Sequence, residues 1–242
     1  MIIIKQIRKY LTRIRWISLY RNKDVFYKHY FPTRGSLGSC GINSILEYPM
    51  FFDTPENVFI GDDVIIRSTA RIVNSPKEKV FIKRYSVIGP DCMIISNSHQ
   101  KTVGLPQFLS GVSHINDKSN DIIINEDVWI GAKVIIMPGA EIGRGSIIGA
   151  GALVSHSVPP YSVVAGSPAK IIGKVFCMED IIKHEQQLYD IGDRMSNDEI
   201  VALFALYNYA NLKTFGNNRT LTAEEEQLVT SLKKQMNYVG NQ

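Results

Sequence analysis

Aliphatic side chains recur at every sixth position through the middle of the chain. Three registers carry the pattern: Ile60, Ile66 and Ile72; Ile82, Ile88 and Ile94; then Ile124, Ile130, Ile136, Ile142, Ile148 and Val154. Two residues ahead of each stands a second column: Val58, Val64, Ala70, Val80, Ser86, Cys92, Ile122, Val128, Val134, Ala140, Ser146 and Ala152. Its members are all small, β-branched or apolar. A helix returns a face every 3.6 residues, so a strict six-residue period excludes a helical origin. The spacing predicts a three-sided coil in which each hexapeptide makes a short strand and a turn, and stacked turns pair their strands in parallel. The Ile/Val column then points inward and the small column fits the corners. Twelve hexads make about four coils, and residues 36–57 add an irregular first one. Gly, Asn and Asp in Ile60-Gly-Asp-Asp, Ile130-Gly-Ala-Lys and Ile142-Gly-Arg-Gly are expected to supply the turn conformations.

Two interruptions break the period. Four extra residues around Asn74-Ser-Pro-Lys-Glu separate the first two registers. The larger break covers residues 98–121 and contains Gly104, Pro106 and Gly111; the repeat resumes at Ile124, thirty residues after Ile94 and still in phase. A long excursion inside a compact domain is usually functional, so this one is expected to leave one corner of the coil and fold over a binding cleft. The flanks read as helical. Ile3, Ile7, Tyr10, Leu11, Ile14 and Ile17 share one helical face, with Lys5, Arg8, Lys9 and Arg13 on the other side. After Lys174 the hexads stop, and Ser196-Asn-Asp-Glu and Thr222-Ala-Glu-Glu read as capping boxes opening helices. The chain thus divides into a basic helical arm (1–34), a β-coil domain (35–174) and a C-terminal helical region (175–242).

The net charge of +4 is unevenly spread. Residues 1–34 hold nine Lys or Arg and one acid, so the arm carries +8 and the rest −4. The arm suits an anionic membrane surface, or it packs its apolar face on the protein and leaves its charges in water. Nucleic acid is not expected as a partner, since no binding motif is present and the body is acidic. Cys40, Cys92 and Cys177 are widely spaced and without CxxC pairing, which points to free thiols in a reducing cytosol. No signal peptide and no run of about 20 apolar residues is visible, so a cytoplasmic product is expected, with peripheral contact at the inner membrane face open through the arm.

The segment Val128-Trp-Ile-Gly-Ala-Lys-Val-Ile-Ile-Met-Pro-Gly-Ala-Glu-Ile-Gly-Arg-Gly-Ser-Ile-Ile-Gly-Ala-Gly-Ala-Leu-Val and the closing Val158-Pro-Pro-Tyr-Ser-Val-Val-Ala-Gly-Ser-Pro-Ala-Lys resemble the hexapeptide-repeat acetyltransferases, especially the maltose/galactoside O-acetyltransferase branch. The resemblance covers roughly residues 57–174. It implies a left-handed parallel β-helix, a homotrimer, acetyl-CoA as co-substrate and a saccharide acceptor. Ile82 to Ile94 matches without a gap the family segment leading to its catalytic histidine, which implies His99 as general base. A sugar hydroxyl has a pKa far above neutrality, acetyl-CoA is already activated, and a neutral imidazole is the natural group to remove the proton as attack occurs.

The carried-over CoA positions are Ala132, Ala150, Ser155, His156 and Lys170. The Ala132 amide would also stabilise the oxyanion, and Lys170 would neutralise a CoA phosphate. Trp129 is a family marker beside this groove, or plain packing. The branch carries an acceptor-contacting asparagine where this chain has Arg67, which suits an acidic sugar or phosphate, or else a surface ion pair. Asn97 and His114 complete the acceptor candidates. His29 and His184 fall in the helical flanks, where structural or solvated roles are expected. No metal site is expected, since only His99 and His114 offer themselves as ligands. The expected activity is O-acetylation of a sugar, in a capsular or O-antigen polysaccharide or its precursor. N-acetylation of an amino sugar, acetylation of a xenobiotic, or a non-catalytic trimeric scaffold stand as alternatives.

Overall fold

The computed structural model describes residues 31–236. The helix expected over residues 3–17, the arm's partners and His29 lie outside the described residues.

All twenty-four positions of the two hexapeptide columns are buried. Ile60, Ile66 and Ile72 pair through the strands above Ile82, Ile88 and Ile94, and the latter two continue above Ile130 and Ile136. The first face stacks Ser39–Cys40, Val58–Ile60, Val80–Ile82, Ile122–Ile124 and Glu141–Ile142. The second stacks Ile45–Leu46, Ile65–Ile66, Val87–Ile88, Trp129–Ile130, Ile147–Ile148 and Ser162–Ala165, all parallel. The third stacks Phe51–Phe52, Arg71–Val73, Met93–Ile95, Ile135–Ile136 and Leu153–Val154. Each buried Ile or Val contributes roughly 1.5–3 kcal/mol, so the interior column is the main support of the prism.

Residues 39–52 form a regular first coil: Cys40 pairs with Ile60, Leu46 with Ile66 and Phe52 with Ile72. The corner serines are hydrogen-bonded between coils. Ser86 Oγ donates to the Asn125 carbonyl (2.8 Å) and accepts from the Val128 amide (3.1 Å). This satisfies a buried hydroxyl that would otherwise cost a few kcal/mol.

The turns follow the expectation at Asp63 and Gly145 and depart from it at Lys133. The left-handed residues are Asp63, Lys133 and Gly145, fourth in their respective segments, and Thr69, Tyr85 and Tyr161 adopt the same region without being Gly, Asn or Asp. Gly131 has an ordinary φ, but a Cβ there would stand 2.7 Å from the Ala150 nitrogen of the next coil. Its glycine is required by close stacking of coils, not by turn geometry.

Strand Lys170–Lys174 runs antiparallel to Ser162–Ala165 and closes the last coil. Beyond it lie the helices Met178–Leu188, Asn197–Leu206 and Ala223–Gln235, called α2, α3 and α4 after the loop helix α1, Gln107–Ser113. Ser196 and Thr222 cap α3 and α4 with complete capping boxes, as the sequence predicts. A second apolar core joins Tyr161, Val163 and Val175 to Ile181 and Ile200. Beside it Arg144 bonds Glu126 (3.1 Å) and Glu185 (3.0 Å), and the Tyr161 hydroxyl donates to Glu185 (2.6 Å). Burial, with the Glu185 carboxylate next, pushes the Tyr161 pKa far up.

Candidate active site

The excursion leaves the third face after Met93–Ile95 and returns to the first at Ile122. Its base is clamped, because Asn97 and Ser98 pair antiparallel with Ser119 and Lys118. Between these legs lies α1, so the excursion is partly ordered where the sequence showed only a break in the repeat. The buried Ser110 hydroxyl donates to the Gln100 carbonyl (3.3 Å), tying α1 to the outgoing leg. His114 caps α1 in the left-handed region, φ 55 and ψ 27, its amide donating to the Ser110 carbonyl. A non-glycine residue held there signals a constraint from its surroundings.

The constraint is visible in the side chains. His99 follows the outgoing strand, Asp117 precedes the returning one, and the two meet at 2.7 Å, Nδ1 to Oδ1. His114 Nδ1 stands 2.8 Å from the other carboxylate oxygen, Oδ2. The two rings are tilted by 48° with centroids 5.3 Å apart. Hydrogen bonds from His99 first, then His114, hold the Asp117 carboxyl below its ordinary value. An ionised carboxylate only accepts, so both Nδ1 atoms donate, and in a neutral imidazole the lone pair then sits on Nε2. No group among the described residues hydrogen-bonds the Nε2 of His99, and α1 approaches it at Gly111, where a Cβ would lie 3.9 Å away. An imidazole fixed in one tautomer with a bare Nε2 has the form of a general base.

Asp117 is the residue that sequence reasoning missed. It lies three residues after His114, and the only hint is the polar return leg Asn116-Asp117-Lys118. Asp117 adds a third ligand-type atom to the two histidines, all within 4.8 Å of one another, and the three residues are engaged in hydrogen bonds with one another.

The remaining candidates fall on two edges of the prism. Ser155 and His156 follow Leu153–Val154 and so share the third-to-first edge with His99, two strands further along. Ser155 Oγ and His156 Nδ1 are 2.9 Å apart, beside a cavity of about 160 Å³. Lys170 lies between two residues of that cavity, Ala169 and Ile171. Ala132 and Ala150 stand on the second-to-third edge, where Trp129, 58% exposed, and Arg67 line the same groove of about 440 Å³. Arg67 pairs with Glu47. Within one chain Arg67, Ala132 and Ala150 therefore do not meet His99, while Asn97 and His114 lie beside it. His184 Nε2 lies 3.0 Å from an Asp127 carboxylate oxygen, away from the His99 cluster.

Comparison with known proteins places this geometry in a class of enzymes. The family described as "Bacterial transferase hexapeptide (six repeats)" matches residues 121–156. The Saccharomyces cerevisiae protein named "Putative acetyltransferase YJL218W" is 34% identical over 142 residues, which cover 59% of this chain and 68% of that one. A chloramphenicol acetyltransferase of Escherichia coli is 46% identical over 76 residues, 31% of this chain and 36% of its own. A solved galactoside acetyltransferase in complex with coenzyme A superposes with a TM-score of 0.53 at 26% identity, covering 67% of this chain and 74% of that one. The coil is accordingly a left-handed β-helix. The chain belongs to the hexapeptide-repeat acetyltransferases and is of the galactoside/maltose O-acetyltransferase-like kind.

Proposed function

We propose that this protein transfers the acetyl group of acetyl-CoA to a sugar hydroxyl, with a capsular or O-antigen polysaccharide, or its precursor, as acceptor. The observation that carries the reading is the bare Nε2 of His99, its tautomer fixed through Asp117. The acceptor hydroxyl gives its proton to that Nε2 as its oxygen attacks the thioester carbonyl. The developing oxyanion is met by the Ala132 amide. As the tetrahedral intermediate collapses, the thiolate leaves and the imidazolium returns the proton to it. Asp117 stabilises the transient positive charge on His99, and His114 and Asn97 stand where an acceptor is oriented.

Because Ala132 and His99 occupy different edges, a second copy must bring its Ala132 edge against the His99 edge. A homotrimer, with three equivalent clefts between neighbours, meets this requirement. Arg67 would then face the acceptor across the cleft, and Ser155, His156 and Lys170 would hold the nucleotide end of the donor. The relation to chloramphenicol acetyltransferase favours a second reading, acetylation of a xenobiotic hydroxyl by the same base.

Mass spectrometry of acceptor panels incubated with acetyl-CoA separates the two readings. His99→Ala lowers kcat by about 10²-fold or more on whichever acceptor is found. Undiminished turnover in that variant rejects the mechanism.

A further inference from the structure

The helical region has no part in the reaction as described so far, yet one of its residues reaches the coil's functional edge. α3 ends at Leu206; Tyr207 caps it, Asn208 turns left-handed, and a short helical turn follows at Tyr209–Asn211. That turn is fastened to the last coil. Tyr209 is fully buried, with its hydroxyl 2.7 Å from the Pro160 carbonyl and 2.6 Å from Ser162 Oγ. Buried Lys174 donates to the carbonyls of Tyr209 (2.8 Å) and Leu212 (2.5 Å). A buried ammonium and phenol are tolerated only with such partners, so the anchor fixes the backbone two residues from Tyr207.

The anchored Tyr207 lines the cavity of about 160 Å³ that also contains Ser155, His156, Ala169 and Ile171. Its ring is partly exposed, 5.9 Å from that of Tyr209 and tilted by 34°. The cavity therefore combines an aromatic ring, an aliphatic wall and a hydrogen-bonding pair, with Lys170 adjacent in the chain. A flat aromatic heterocycle that stacks, bonds along one edge and carries phosphates fits this combination; a bare sugar or an acyl chain would use only part of it. The cavity also lies on the edge of His99, two strand spacings away, about 10 Å along the coil. A donor with its thioester at His99 and its arm along this edge brings its nucleotide to Tyr207.

We infer that Tyr207 is the stacking wall for the purine ring of the thioester donor, so that the C-terminal helices form part of the donor site. The inference deepens the proposed function and rests on its assignment of CoA as donor.

Calorimetric titration with CoA and with pantetheine, which lacks the nucleotide, tests it without knowledge of the acceptor. Tyr207→Ala weakens CoA binding by roughly 5- to 100-fold and leaves pantetheine unchanged, while Tyr207→Phe and Tyr207→Trp keep near-native CoA affinity. Unchanged CoA affinity in Tyr207→Ala overturns the inference. Equal weakening of both ligands overturns it too, because it marks Tyr207 as structural. Failure of the unmodified protein to bind CoA at all removes the donor assignment itself, an outcome distinct from a selective failure at Tyr207.

Discussion

Two clusters of charged and hydrogen-bonding side chains hang from this coil, and they differ in what they leave open. At the junction with α2, Arg144 meets Glu126, Glu185 and the Asp193 carbonyl, and its guanidinium lies 4.2 Å over the Tyr189 ring. Glu185 in turn takes the Tyr161 hydroxyl and the Met195 amide. Apart from the buried Tyr189 hydroxyl, which has no hydrogen-bond partner among the described residues, these donors and acceptors are turned on one another, and the result is a joint. In the excursion, His99, Asp117 and His114 are side chains 38%, 13% and 59% exposed, and each imidazole uses one nitrogen inward and keeps the other outward. The same elementary contacts build a fastening where the charged groups close on one another, and leave a ring nitrogen available where one side stays open.

The contrast can be attacked from either end. The largest effect is expected at the joint. Arg144→Ala strands Glu185, whose side chain is 2% exposed, and costs about 3–5 kcal/mol in denaturant unfolding. Turnover per folded molecule should be unchanged; a selective loss of activity would mean that the joint also serves chemistry. Asp117→Asn should do the reverse. A neutral amide neither fixes both imidazoles nor stabilises an imidazolium, so kcat falls about ten-fold or more, while unfolding shifts by no more than about 0.5 kcal/mol. Unfolding of that variant would make the two clusters alike.

The smallest effect belongs to an exposed pair outside both. Arg219 holds Glu225, at the start of α4, down to about 2 from 4.5, with the Thr222 amide assisting. A carboxyl depressed on folding stabilises above its unfolded value, and the benefit fades as pH falls through the folded one. Hydrogen-exchange protection of α4 should thus decline between about pH 4.5 and 2 in the native protein and lose that step in Glu225→Gln. An identical pH course in both would show the pair to be idle.

The coil was legible because every turn repeats one demand: an aliphatic side chain at the same inward position. Even the first coil obeys it, though with Cys40, Leu46 and Phe52 in place of isoleucine, which hid the period. Ser196 and Thr222 announced α3 and α4 because capping is local. α2 went unannounced; its N-cap Cys177 makes no side-chain cap. Asp117 was hidden for a different reason. Its meeting with His99 spans 18 residues and depends on the pairing of Ser98 with Lys118, which no short-range pattern encodes.

That pairing has a broader consequence. The excursion exits and re-enters at a clamped doorway without disturbing the phase of the prism, and His99 and Asp117 stand at its two jambs. Residues 100–116 are thereby a cartridge. Exchanging them removes α1 and His114, the second imidazole on Asp117, but leaves the clamp of residues 97–98 with 118–119 and the phase of the coils beneath. Under the proposed mechanism, variation confined to this insert would act on the acceptor side of the reaction, while the residues assigned to the thioester lie outside it.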